Sequence, residues 1–267
     1  MTPMRTLRLM AVLAHPDDES LGIGGTIAKY ASEGVEVFLL SATRGDGGRY
    51  RTYRPGDPQH PGADALGAIR ERELCAAASV LGVKDVAFLE YRDQQLDRAR
   101  PSEVIAEIVR HLRRVQPDVV ITFGPDGAYG HPDHIAISQF ATAAIVAAAQ
   151  PAISKLYYIA WRESTWVAYQ HAFKKLTSTV DGVERHVVPW PDWEVTTVID
   201  TATFVPTVWK AIACHESQMS AYEQLKNLPP EDHMAIWGKQ SFYRAFSTVN
   251  GGRRPETDLF EGIRNED

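Results

Sequence analysis

Short apolar runs recur through the first 161 residues, and stretches with helical spacing separate them. Leu9–Leu13, Val35–Leu40, Val86–Leu89, Val119–Phe123 and Leu156–Trp161 are nearly continuous in apolar character, as strands buried on both faces are. Between them, helices are expected over Ser20–Glu33 (stopped at Gly34), Arg70–Leu81 (stopped at Gly82), Ser102–Val115 and Pro132–Ala149. This alternation predicts an α/β fold: a Rossmann-like, mostly parallel sheet with helices on both faces. After Trp161 the pattern changes. Residues 162–200 mix aromatic and charged side chains with weak period-two segments at Thr177–Val180, Glu184–Val188 and Thr196–Ile199, and a small β-rich extension is expected there. A helix over Thr203–Met219 follows, then a strand or short helix over Ser241–Val249 and a polar loop from Gly251 onward. The reading is a catalytic core over 1–161 with a C-terminal extension, 162–267, packed on it. The stretch Arg44–Gly67, rich in Gly, Pro, Arg and Tyr, is too long for a plain connector and reads as a binding loop or lid.

Composition narrows the class. Hydrophobic residues form 44% of the 267, enough for a core, and the formal net charge is −6 with both signs interspersed. That balance excludes a nucleic-acid binder, and the pairs Arg113-Arg114 and Arg253-Arg254 read as solvated surface. The two cysteines, Cys75 and Cys214, lie in apolar helical contexts and read as unpaired. No signal peptide is expected, and the Ala-rich run from Phe140 to Ala149 is too short to span a bilayer. A soluble cytoplasmic protein without membrane partners follows as the default; self-association stays open.

In an open α/β sheet, ligands bind beyond the carboxyl ends of the strands. The first strand runs into His15-Pro16-Asp17-Asp18-Glu19. His15 and Asp18, three apart in a tight turn, can aim at one point, and imidazole with carboxylate suits zinc. Asp17, between them, points elsewhere and stays available as a base. The fourth strand runs into Tyr129-Gly130-His131-Pro132-Asp133-His134, with Pro132 in a first helical turn and the two histidines three apart. A third ligand from this cluster completes a site with an open position for water. Either motif alone could be a capped helix start; two at strand ends of one sheet point to a site.

The sequence resembles the PIG-L/LmbE-like family of zinc-dependent N-acetylglucosaminyl deacetylases. The resemblance rests on AHPDDE at Ala14–Glu19 and YGHPDH at Tyr129–His134, with further matches at Thr43-Arg44-Gly45, Arg70-x-x-Glu73-Leu74, Arg92-Asp93 and His215-x-Ser217-Gln218. It implies zinc held by His15, Asp18 and His134, with ferrous iron as an alternative in cells. It implies Asp17 as general base, His131 as stabiliser of the oxyanion with Asp133 orienting it, and Tyr129 reaching the tetrahedral intermediate. Arg70 and Asp93 match sugar-contacting positions, and Arg44 is a further candidate for substrate. Asp46 stands where many relatives carry Glu and receives no role. Chemistry is consistent with these roles: a metal polarises the carbonyl and acidifies water, and a protonated His131 beside Tyr129 would meet the developing charge.

The implied substrate is a small N-acetyl amino sugar or glycoconjugate; a thiol conjugate or other small-molecule amide is the variant. Two other classes compete. A nucleotide-binding module would use Gly22, Gly24 and Gly25, but LGIGGTIA lacks the dinucleotide spacing and close helix packing explains it better. A magnesium phosphohydrolase would need an oxygen-rich site, whereas this one is rich in histidine. The aromatics Trp161, Trp166, Tyr169, Trp190 and Trp193 are expected mainly in packing, and His215 as a packed or capping residue.

Overall fold

The computed structural model of the protein describes residues 5–148, 153–172, 177–180, 182–252 and 254–264. The apolar runs form β1 (Arg8–Leu13), β2 (Glu36–Thr43), β3 (Asp85–Tyr91), β4 (Val119–Phe123) and β5 (Lys155–Ile159), all parallel. Leu9 to Leu13 and Val119 to Ile121 are at most 1% exposed, which accounts for their unbroken apolar character. A hairpin, β6 (Thr177–Val180) and β7 (Val183–His186), stands apart as its own two-stranded sheet. Then β8 (Thr197–Asp200) and β9 (Lys239–Ser247) return to the main sheet, β9 antiparallel to both β5 and β8. The seven-stranded order is β3-β2-β1-β4-β5-β9-β8.

The helices are α1 (Asp18–Ser32), α2 (Ala63–Leu81), α3 (Pro101–Val115), α4 (Gly127–Gly130, one irregular turn), α5 (Pro132–Ala148), α6 (Glu163–Ala172), α7 (Val205–Cys214), α8 (Met219–Lys226) and α9 (Pro230–Trp237). α1, α2 and α7 pack on one another, and α3 packs on α5. Right-handed crossovers that leave β1 and β4 in opposite directions put these groups on opposite faces. Gly25 serves close packing: a Cβ there would come within 2.6 Å of the Thr201 side chain. Among the described residues, no helix is long and apolar enough to cross a membrane.

Several elements differ from expectation. The sheet runs through the boundary expected at Trp161, because β8 and β9 share its core with Ile199 and Phe242 fully buried. Residues 163–172 form a helix, not part of a β-rich segment; Tyr169 joins Val208, Ile212 and Trp237 in a second apolar cluster. α2 starts at Ala63, so the long loop ends at Gly62; Gly67, which reads as loop, lies inside the helix. The helix expected over Thr203–Met219 breaks at His215, and α9 had no expected counterpart. Ala149, the expected end of the fifth helix, and Arg253 of the basic pair lie outside the described residues.

Described residues beyond Gly251 join the core. Leu259 and Phe260 are fully buried, and Glu256 bridges to Thr197. The Glu256 carboxylate, 2% exposed, accepts from Lys155 Nζ at 2.7 Å, Tyr157 Oη at 2.7 Å, Thr197 Oγ1 at 2.9 Å and Asn250 Nδ2 at 2.7 Å. Arg244 Nη1 lies 2.6 Å away. Burial opposes ionisation, but Lys155, Asn250 and Tyr157 pull the Glu256 pKa down to about 2 from 4.5. The folded value lies below the unfolded one, so this stabilisation is present above pH about 4.5 and is lost as pH falls toward about 2. Glu256→Gln should cost about 3–5 kcal/mol at neutral pH, because it leaves Lys155 and Arg244 buried without their counter-charge. Denaturant unfolding of both proteins between pH 7 and 3 checks this: the gap should narrow on acidification.

Candidate metal-dependent active site

β1 and β4 are neighbours whose onward connections diverge, which opens a crevice beyond their carboxyl ends. The chain enters it from β1 as His15-Pro16-Asp17-Asp18 and from β4 through α4 into α5. Asp17 takes φ 106°, ψ −23°, a left-handed conformation costing about 1–3 kcal/mol in a non-glycine residue. Its N–H donates to Glu19 Oε2 at 3.0 Å, and Glu19, fully buried, also meets His215 Nε2 at 2.8 Å. The strained turn is thus braced by the C-terminal half of the chain.

His15 presents two edges. Nε2 lies 3.0 Å from Asp93 Oδ1 and 3.1 Å from Asp133 Oδ2. Asp133 is fully buried and also accepts N–H bonds from Gln94 at 2.6 Å and Leu96 at 3.1 Å. On the other edge, His15 Nδ1 is 3.2 Å from His134 Nε2 and 3.7 Å from Asp18 Oδ2; Asp18 Oδ1 is 3.4 Å from His134 Nε2. With its Nε2–H committed to carboxylates, His15 turns its Nδ1 toward the Nε2 of His134, beside a carboxylate. Such a grouping needs a cation or a proton between its members. The edges match those between ligands about 2.1 Å from a tetrahedral zinc, about 3.4 Å. A carboxylate behind a ligating imidazole is also the usual support for a metal-bound histidine. The residues therefore fit a divalent ion. Two other groupings surround the same ring, His15 with His131 and His134, and His15 with Asp93 and Asp133, each with ligand atoms within 4.8 Å of one another.

Electrostatics follow from this crowding. Burial opposes protonation of His15, but Asp93, Asp133 and Asp18 raise its pKa well above 6.5 in the metal-free chain. Burial likewise opposes the Asp18 charge, yet His134 and His15 pull its pKa down to about 2. Burial pushes Asp17 up, helped by Asp18 and resisted by Arg70, His215 and Tyr222. Burial and the imidazoles of His15 and His134 push the His131 pKa down to about 3. The Asp133 N–H donates to His131 Nδ1 at 3.2 Å, leaving the ring proton on Nε2. Asp133 thus contacts His131 through its backbone, while its carboxylate faces His15. The Tyr129 ring packs edge-on to His131 and His134, with centroids 5.9 and 5.4 Å away, after Ala128 at φ 63°.

His15, Asp17, Asp18, Asp93, Tyr129, His131 and His134 line a cavity of about 890 Å³, with Phe123, Trp161 and Tyr169 also in its wall. Arg70 is 4% exposed and makes no pair with Glu71 or Glu73. It donates to Gly45 O at 2.8 Å, to Pro16 O, and to Asp17 Oδ2 at 3.0 Å. Gly45, at φ 63°, permits this, since a Cβ would collide with the guanidinium. Arg44 is held by Glu71 at 2.5 Å and Glu90 at 2.8 Å and does not line the cavity. Asp46 accepts from Arg92 Nη1 at 2.9 Å and the Asp93 N–H at 3.1 Å, which sets the Asp93 turn.

Sequence reasoning missed Tyr222, whose hydroxyl donates to Asp17 Oδ2 at 2.6 Å from α8, 205 residues away. No local pattern marks it. The matches at Glu73 and Ser217 prove to be partners: the Glu73 carboxylate accepts from Ser217 N and Oγ, both at 2.7 Å.

A doubly wound sheet with a buried histidine–carboxylate donor set and an adjoining ionisable aspartate at its switch point is the arrangement of a metal-assisted hydrolase. The family model described as PIG-L, GlcNAc-PI de-N-acetylase, matches residues 10–145, and the chain belongs to this family of amide-hydrolysing enzymes. It is 34% identical to a 1D-myo-inositol 2-acetamido-2-deoxy-alpha-D-glucopyranoside deacetylase of Kineococcus radiotolerans, over 96% of this chain and 83% of that one. Among solved structures it resembles an N,N'-diacetylchitobiose deacetylase of Pyrococcus horikoshii (TM-score 0.59, 23% identity, 89% of this chain and 83% of that one). It also resembles GalB, a 4-carboxy-2-hydroxymuconate hydratase of Pseudomonas putida KT2440 (TM-score 0.65, 18% identity, 92% and 99%).

Tyr222→Phe should leave folding and metal content unchanged and lower kcat about ten-fold with little change in KM, since a hydrogen bond to a charged group contributes about 1.5–3 kcal/mol. Steady-state amine release beside metal analysis checks this; unchanged kcat would show that the bond has no part in turnover.

Proposed function

We propose that this chain hydrolyses the acetamide of an N-acetyl amino sugar, releasing acetate and the free amine, with His15, Asp18 and His134 holding one zinc ion. The observation that carries the reading is the convergence of His15 Nδ1, His134 Nε2 and Asp18 Oδ1 beside Asp17 in the cavity wall. Two nitrogens and a carboxylate favour zinc over magnesium or calcium; ferrous iron accepts the same donors. Asp93 and Asp133 then support His15 from behind, and His131 stays out of the ligand set. When bound, zinc would polarise the amide carbonyl and lower the pKa of the attacking water toward about 7.

Asp17 accepts the water's proton. Its Oδ2 is engaged by Arg70 and Tyr222, so Oδ1 is the atom that takes the proton and returns it to the leaving nitrogen. Its raised pKa suits both halves of that transfer. The carbonyl oxygen gains charge in the transition state, and the Tyr129 hydroxyl and the His131 Nε2–H donate to it. Arg70 acts on the reaction through Asp17. Asp93 lines the cavity and offers an acceptor to sugar hydroxyls. Arg44 orders the loop through Glu71 and Glu90. The amino-sugar substrate is supported by the inositol glucosaminide deacetylase, 34% identical over nearly the whole chain.

Asp17→Asn should retain the metal and lose about 10²–10⁴-fold in kcat, the range for a general base. His134→Ala should lose the metal itself. Elemental analysis of both variants, with fluorescent detection of primary amine from a panel of N-acetylglucosaminides, tests the assignment. Near-normal turnover by Asp17→Asn would remove the base role, and full metal content in His134→Ala would move the ion to another grouping around His15.

A further inference from the structure

Two buried side chains next to the catalytic centre have no part in the proposed chemistry. Glu19 and His215 are both fully buried, and His215 Nε2 lies 2.8 Å from Glu19 Oε1. Ser20 Oγ donates to the same oxygen at 2.5 Å. The other oxygen, Oε2, accepts the Asp17 N–H at 3.0 Å. Each oxygen of Glu19 therefore has a fixed partner, and one of those partners is the backbone of the proposed base.

This bond matters for what it leaves free. Asp17 is the N-cap of α1, yet its carboxylate makes no capping bond to the helix, although an aspartate at that position ordinarily does. Glu19 instead reaches back to the N-cap N–H, which is one half of a capping box without the other. The Asp17 side chain is thereby released toward the cavity it lines. The backbone that aims it there, at φ 106°, needs a hold from outside the turn.

His215 is the fixed end of this chain of contacts. It is the C-cap of α7, a helix whose Val208, Ala211 and Ile212 are fully buried. α7 packs on α1 and α2, and a Cβ at Gly24 of α1 would meet Val208 Cγ2 at 3.5 Å. The imidazole is thus seated against the start of α1. Burial opposes protonation of His215, but Glu19 and Asp17 raise its pKa above the ordinary value, which favours a charged partner for Glu19.

We propose that His215 is a positioning residue for the hydrolysis: by holding Glu19 it fixes the Asp17 peptide, and with it the reach of the Asp17 carboxylate to the attacking water. This rests on Asp17 as the base. His215 itself is not among the residues lining the cavity, so it acts through Glu19.

Two variants test this in metal-loaded protein: His215→Gln, whose amide nitrogen reaches the place of Nε2, and His215→Asn, which is one methylene too short. Steady-state amine release and hydrogen exchange of the Asp17 amide are the readouts. His215→Asn should lower kcat about 10–100-fold, with metal content and KM unchanged, as a displacement of about 1 Å in a catalytic group does. Its Asp17 amide should exchange about ten-fold or more faster, because the Glu19 acceptor is no longer held. His215→Gln should recover most of both. Unchanged kcat or unchanged Asp17 exchange in His215→Asn would overturn the proposal. So would an equal loss in the two variants, loss of metal, or failure of His215→Asn to fold, each of which would make the pair a support of the fold alone. Exchange needs no substrate. If the wild-type protein releases no amine from any N-acetyl compound, the deacetylase reading fails, while the exchange comparison still decides whether His215 holds Asp17.

Discussion

Burial of charge where β1 and β4 end is the constraint on which the rest of this structure depends. Asp17, Glu19, Asp93 and Asp133 are each at most 8% exposed, as are His15 and His134. Carboxylates at this density would repel one another and neutralise unless each met a cation or a set of N–H donors. The His15 ring is the pivot. One edge donates to Asp93 and Asp133, and the other faces His134 and Asp18. That division of labour within one imidazole is what makes a pile of buried charge into a place for a divalent ion.

Much of the framework around this pivot comes from the far end of the chain. Tyr222 holds Asp17, His215 holds Glu19, and Ser217 meets Glu73, while Gln218 pins the Arg49 loop. Those contacts allow a strained, left-handed Asp17 to persist, since only an over-determined surrounding sustains such a backbone. The Glu256 cluster ties β5, β8 and β9 together through Lys155, Thr197 and Arg244. Among the described residues after Trp161, β8 and β9 thus extend the sheet that carries the site.

The sheet alone does not select the chemistry. A hydratase and a deacetylase both superpose on this chain with TM-scores near 0.6 at low identity. Open α/β sheets offer a crevice at the switch point, and the side chains placed there decide the reaction. Here the distinguishing parts are the HPDD and HPDH turns and the groups that orient them.

The parallel core was legible because strands buried on both faces must be apolar throughout, and because Gly34 and Gly82 punctuate the helices between them. The two motifs and the family were legible for a similar reason: His15, Asp17 and Asp18, like Tyr129, His131 and His134, sit within single turns, so their proximity is local. Beyond Trp161 the signal failed. α6 is aromatic without clear helical periodicity, and β8 and β9 are completed only by pairing with β5. Even within the site, sequence alone put Arg44 and Arg70 together as substrate contacts; packing sent one to Glu71 and Glu90 and the other to Asp17. Residue types and short spacings determined which groups are available. Which partners each edge of His15 meets and that Tyr222 reaches Asp17 were decided by tertiary structure, because burial and long-range partners set those properties and neither is encoded in neighbouring residues.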